Sequence, residues 1–163
     1  TIDCQGRTII GKNASNTYGI YATSLNTTIR NCNVSNFATA IYFDGTNGAS
    51  ASNGTIQNVT AATTYSFGSA IYFDTARFNT ISNSSGTAYS GYGITMTSGS
   101  NNNIINNFNA SHFNSEGESL SSIRIISSNY TTIANSTLSS DTGNPLSIYA
   151  GSNSQIYNNT FRS

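Results

Sequence analysis

Charge is the first thing this chain has little of. Six Lys and Arg against six Asp and Glu make only 7% of 163 residues, with a formal net charge of zero. Such a chain offers no basic stripe for a phosphate backbone or an anionic membrane, so nucleic acid is not expected as a partner. It also has one proline (Pro145), one methionine (Met96), one histidine (His112), two cysteines and no tryptophan. No apolar run has the length of a membrane span, no helical period appears, and no signal peptide is visible. The chain opens inside a strand-like run, Thr1-Ile2-Asp3-Cys4, as it would if an upstream signal had been removed.

What is present is Asn, Ser and Thr, 73 residues together, with 36% apolar residues that include 18 aromatics. So few aliphatic residues would struggle to fill one central core. A solenoid does not need one, because each turn buries a narrow inner face against its neighbours. The apolar residues are periodic, which argues against disorder.

The period is carried by two motifs. Thr28-Ile29-Arg30-Asn31 recurs as Thr55-Ile56-Gln57-Asn58 and Thr80-Ile81-Ser82-Asn83. It continues as Ile104-Ile105-Asn106-Asn107, Thr132-Ile133-Ala134-Asn135 and Gln155-Ile156-Tyr157-Asn158, roughly 25 residues apart. A second motif precedes it, as in Gly19-Ile20-Tyr21-Ala22, Ala40-Ile41-Tyr42-Phe43 and Ala70-Ile71-Tyr72-Phe73. Its apolar-polar-apolar alternation is that of a strand with one buried face. The reading is an all-β chain of one domain, residues 1–163, forming a right-handed parallel β-helix of about six coils. Coil lengths vary while strands cannot slip register, so the extra residues belong in turns, at 45–52 or 62–69 and at 112–121.

Stacked, the motifs predict four inward columns: Ile20, Ile41, Ile71, Ile94, Ile123, Ile148; Ala22, Phe43, Phe73, Met96, Ile125, Ala150; Ile29 to Ile156; and Val34 to Phe161. A fifth column is Asn31, Asn58, Asn83, Asn107, Asn135 and Asn158. Asn tolerates a left-handed bend. Its amide can donate and accept along a stack, so the expectation is an internal asparagine ladder.

With Asp3-Cys4-Gln5-Gly6, Gly19-Ile20-Tyr21 and Thr28-Ile29-Arg30-Asn31-Cys32, the chain resembles the parallel β-helix repeat proteins of the NosD-like group, in the pectate-lyase-like superfamily. The resemblance implies a secreted or surface protein of an archaeon or bacterium. It implies a scaffold more than an activity. One His and one Met cannot build a dedicated copper site, so that role of the namesake group is not expected.

Asp44 and Asp74 end matching strands, on adjacent rungs about 4.8 Å apart. They are the candidates for a calcium site or for polysaccharide hydrolysis or lysis, against the simpler reading of strand-end acids bonding turn amides. His112, near Glu116 and Glu118, is expected in a solvated loop. The outward column Tyr21, Tyr42, Tyr72, Thr95, Arg124 and Tyr149 offers stacked tyrosines for a sugar ring or a protein face, or simply cross-strand pairs. Cys4 and Cys32 fall on adjacent rungs, either as a disulfide or as two buried thiols.

Ten asparagines lie in sequons. Asn13, Asn26, Asn33, Asn53, Asn109 and Asn129 are the glycan candidates, whereas Asn58, Asn83, Asn135 and Asn158 are expected to point inward. The functional expectation is a non-catalytic structural or adhesive protein, secreted or on a cell surface. It would be glycosylated, needs no cofactor and associates end to end into a filament. A polysaccharide-active enzyme and a carbohydrate-binding module are the alternatives.

Overall fold

The computed structural model of the protein describes residues 1–46, 51–113 and 120–163. The described residues hold eighteen strands and no helix. They stack as a parallel β-solenoid of about six turns. One face is a six-stranded sheet of Tyr18–Ala22, Thr39–Asp44, Ser69–Asp74, Tyr92–Thr97, Ile123–Ile126 and Leu146–Tyr149. Every coil then turns onto a second face, which starts at Ile2–Asp3 and Thr28–Arg30 and ends at Gln155–Tyr157. A third face runs from Thr8–Ile10 to Thr160–Arg162. Two long strands, Thr80–Ala88 and Ile104–His112, bend across the corner and serve both of the last two faces.

The apolar columns form as the periodicity demands. Ile29, Ile56, Ile81, Ile105 and Ile133 pair rung on rung and are at most 1% exposed. Phe43 and Phe73 pack inside the first face with ring centres 5.3 Å apart and planes tilted by 47°. Each such side chain contributes about 1.5–3 kcal/mol on burial. This suits a chain poor in aliphatics, because a narrow core needs only a few side chains per coil.

The last coil departs from the expected register. Leu146 pairs with Ile123, and Ile148 pairs with Ile125. Leu146, not Ile148, therefore continues the first column, Ile148 continues the second, and Ala150 lies beyond it. The two-residue period makes a slip of two invisible to an inside–outside argument, since either register keeps the faces apolar and polar. Extra residues in the second coil fall in both expected turns: Asp44 to Thr55 spans eleven positions where Asp74 to Thr80 spans six, and Ala62 to Ser69 spans seven where Thr87 to Tyr92 spans five. The larger share is at 45–52, part of which lies outside the described residues.

The asparagine column corrects an expectation. All six residues adopt the left-handed conformation, with φ between 49° and 54°. They do not point inward: Asn31 is half-buried, and Asn58, Asn83, Asn107, Asn135 and Asn158 are exposed. One left-handed residue breaks the strand alternation, so its side chain leaves from the convex side of the corner. The next residue takes the inward place, as Cys32, Val59, Phe108 and Ser136 do, each at most 3% exposed. The outer amides bond only in part: Asn31 Nδ2 donates to Asp3 (3.1 Å), Asn58 to Asn31 (3.3 Å) and Asn107 to Asn83 (2.7 Å), while Asn135 turns to Asn106.

The interior amides sit at another corner, on Asn79 and Asn103, each 1% exposed. Asn103 Oδ1 accepts from the Asn79 amide at 2.8 Å, and its Nδ2 donates to the carbonyls of Ala76 and Ser100. Asn79 repeats the pattern one coil earlier with Gly54 and Ala51. Turn backbone that the sheets cannot pair is thereby satisfied.

Candidate functional site

The most differentiated surface is the outer side of the first face. Tyr21, Tyr42 and Tyr72 stand on successive rungs because the strands Tyr18–Ala22, Thr39–Asp44 and Ser69–Asp74 are in register. Tyr18 stacks on Tyr21 at 5.3 Å, and Tyr42 on Tyr72 at 4.9 Å. Tyr149 is displaced from this row by two residues along the strand, pairing with Ile126, yet its ring still lies 5.9 Å from the Arg124 guanidinium.

The strand-end acids are built into the row. Asp44 and Asp74 are paired across neighbouring strands, as the motif spacing predicts. Tyr21 donates its hydroxyl to Asp44 Oδ2, and Tyr42 reaches Asp74 Oδ2 at 3.4 Å. On the next rung Tyr72 bonds Thr97 at 3.0 Å. The hydroxyl tips are therefore tethered diagonally across the coils, which holds the rings still. The Thr46 amide also donates to Asp44, the strand-end role of a turn acid.

Electrostatics follow this geometry. Burial works against ionised Asp44, but hydrogen bonds from Thr46 and Tyr21 outweigh it, and the carboxyl lies below its ordinary range. The bond to Asp44 pushes the Tyr21 phenol up. Burial first, and the charges of Asp74 and Asp44 next, push Tyr42 up. A carboxyl held ionised is unsuited to act as a general acid near neutrality.

Beyond Tyr72 the row changes character. Thr95 is the small residue in the column, and Arg124 follows it. The result is a shallow notch of about 300 Å³, walled by Tyr72 and Arg124. Arg124 donates to the Tyr92 hydroxyl at 2.9 Å and lies 5.1 Å from the Tyr92 ring centre. Tyr92 and this notch escaped sequence reading, although the break in the tyrosine column at Thr95 was visible.

Other candidates separate from this face. Cys4 and Cys32 form a disulfide with Cα atoms 4.8 Å apart. His112 is not in a solvated loop: it ends the strand Ile104–His112 and is 1% exposed, between Ala88 and Ser140. Burial pushes its imidazole below the usual range. Glu116 and Glu118 lie outside the described residues. Among the sequons, Asn13, Asn26, Asn53 and Asn109 are exposed, and Asn33 and Asn129 are half-buried. Burial does not set Asn58, Asn83, Asn135 and Asn158 apart, because they project outward.

A chain with stacked rungs, inward isoleucine columns and left-handed corner asparagines is a parallel β-helix repeat protein. Residues 3–163 match the family described as periplasmic copper-binding protein (NosD), and the chain belongs to that family. No curated protein and no solved structure matches it. The described residues do not fit a dedicated copper site. Among the described residues no three His, Cys, Asp or Glu come together. Both cysteines are in the disulfide, and Met96 is enclosed in the core.

Proposed function

We propose that the protein is a non-catalytic adhesive scaffold working outside the cytoplasm, with its tyrosine face as the contact surface. The observation that carries this is the tethered row itself. Tyr18 and Tyr21 are 42% and 51% exposed, yet their rings are stacked and the Tyr21 hydroxyl is held by Asp44. Rigid exposed aromatics suit recognition, because little conformational entropy is lost on contact. The Cys4–Cys32 disulfide supports an oxidising compartment. The family's description supports a periplasmic or outer location, and among the described residues no helix is long and apolar enough to cross a membrane.

Asp44 and Asp74 act in this proposal as anchors for tyrosine and turn groups. Among the described residues nothing in their setting favours hydrolysis or a calcium site. Glycosylation and end-to-end assembly into a filament belong to the same proposal.

The test is retention of the protein on surface polysaccharide or whole envelope preparations. The triple variant Tyr18→Ser, Tyr21→Ser, Tyr42→Ser should lose at least ~10-fold in retention, as removal of several contact anchors does. Unchanged retention in a folded triple variant overturns the tyrosine face as the contact surface. Intact mass and electron microscopy of native material read out glycans and filaments.

A further inference from the structure

We infer that Tyr21 is a site of one-electron oxidation, whose radical couples with Tyr21 of a second copy of this chain and fixes the two through a dityrosine bond. The chemistry is separate from the contact role of the face and has its own test.

The proton decides which tyrosine reacts. A phenol that loses an electron becomes a strong acid, so the loss is easiest where a base already holds the hydroxyl proton. Among the described residues two tyrosines meet a carboxylate. Tyr21 donates to Asp44 Oδ2, whereas Tyr42 reaches Asp74 Oδ2 only at 3.4 Å, near the far limit of a hydrogen bond. Asp44 is fixed for this task, since the Thr46 amide and hydroxyl both bond its other oxygen, at 2.8 and 2.5 Å. Those bonds outweigh burial, so the carboxyl is ionised near neutrality and free to take a proton. Tyr72 instead bonds the Thr97 hydroxyl, a far weaker base. Tyr92 accepts from Arg124, whose positive charge opposes removal of an electron.

Stacking and exposure single out the same residue. Along the series Tyr18, Tyr21, Tyr42 and Tyr72, successive ring centres are 4.9 to 5.4 Å apart. At such contact an electron vacancy passes from ring to ring and comes to rest where the proton is lost most easily. Tyr42 and Tyr72 are half-buried, while Tyr21 is 51% exposed and open to a second copy. The chain's formal net charge of zero sets no overall repulsion between copies. Asp44 is only 9% exposed, and it is neutralised as it takes the proton.

Each copy gives one electron to a one-electron oxidant, such as the ferryl haem of a peroxidase, and its hydroxyl proton to Asp44. Two neutral tyrosyl radicals then pair their electrons in one carbon–carbon bond between ring positions ortho to oxygen. The hydrogen on each joined carbon moves as a proton to the phenolic oxygen, which restores both aromatic rings, and each Asp44 releases its proton to water. The sum is two electrons and two protons lost per bond formed.

The experiment illuminates the full chain with ruthenium tris-bipyridine and persulfate, a one-electron oxidant, at low conversion, and maps cross-linked peptides by mass spectrometry. The covalent dimer should join Tyr21 to Tyr21. Tyr130 and Tyr157 are the internal controls, 55% and 49% exposed and without a carboxylate partner among the described residues. Links at Tyr21 should exceed links at these two by at least ~10-fold, a modest share of what a positioned base supplies. Asp44→Asn keeps an oxygen to accept the hydroxyl but is no longer a base. It should lose that excess while circular dichroism reports an intact fold. Tyr18→Phe should cross-link as the unaltered chain does. Links at Tyr130 and Tyr157 as frequent as those at Tyr21 would overturn the inference, and that measurement needs no variant. So would a folded Asp44→Asn chain that still links at Tyr21, links confined to Tyr18, or no covalent dimer at all.

Discussion

Two corners of the same coil use the same residue in opposite ways. At one, Asn31 and its five counterparts sit outside; at the other, Asn79 and Asn103 sit inside. The outer asparagines are selected for backbone, since each holds φ near +50° at low cost. The inner ones are selected for their amides, which satisfy peptide groups of neighbouring coils. A column of identical residues is therefore no evidence of an internal ladder. What matters is whether the conformation at that residue sends the side chain in or out.

The largest effect that could break this comparison is expected at the inner corner. Asn103→Ala removes bonds to Asn79, Ala76 and Ser100 and leaves three buried backbone groups unpaired. At about 1–3 kcal/mol for each such group, the loss should be about 3–5 kcal/mol in urea unfolding after partial relaxation. An Asn103→Ala midpoint equal to that of an outer-corner variant would abolish the distinction.

Next is the residue that follows the outer corner. Cys32 occupies the inward place after Asn31 and is tied to Cys4, 28 residues away. Replacing both cysteines by serine should cost about 3 kcal/mol from loop entropy. Chemical denaturation with and without reductant measures it. A loss below ~1 kcal/mol would mean that this rung is held by packing alone.

The outer asparagines can then be tested with two substitutions at one position. Asn107→Ala places a Cβ-bearing residue at φ 51° and should cost about 1–2 kcal/mol. Asn107→Gly removes the same amide without the conformational strain and should change stability by less than about 0.5 kcal/mol, as at an ordinary surface position. Equal losses in the two variants would show that the amide, not the backbone, is what the corner needs.

The smallest effect is electrostatic. Asp3, paired with Arg30, meets the outer row through its side chain: the Gln5 amide first, then Asn31 and Arg30, hold its carboxyl below its ordinary value of 3.8. A depressed carboxyl contributes stability that is present above its unfolded value and lost as pH falls through the folded one. Acid titration below about pH 3.8 should therefore loosen the Asp3–Asn31 corner, seen as shifts of the Asn31 side-chain amide in NMR, and leave Asn79 and Asn103 unmoved. Simultaneous shifts at both corners would contradict their independence.

Much of this architecture was legible before any coordinates. The isoleucine columns, the coil count, the pairing of Asp44 with Asp74 and the stacking of Tyr21, Tyr42 and Tyr72 all follow from the repeat, because a fixed period with one buried face leaves few registers open. Of the tyrosine face, the row was legible and the notch was not. A cavity depends on how Tyr72, Tyr92 and Arg124 fold over Thr95, and these residues meet only across three coils.

The amino-acid sequence by itself determined which residues share a column and where the chain can take a left-handed bend, since both depend on local spacing and side-chain type. The tertiary structure decided the rest. It sent the six corner asparagines outward, put Leu146 in the place expected for Ile148, buried His112 at a strand end and brought Arg124 against Tyr92. Those outcomes turn on the direction of a single Cβ at a bend, on a two-residue slip that conserves polarity, and on contacts between residues about 25 positions apart or more.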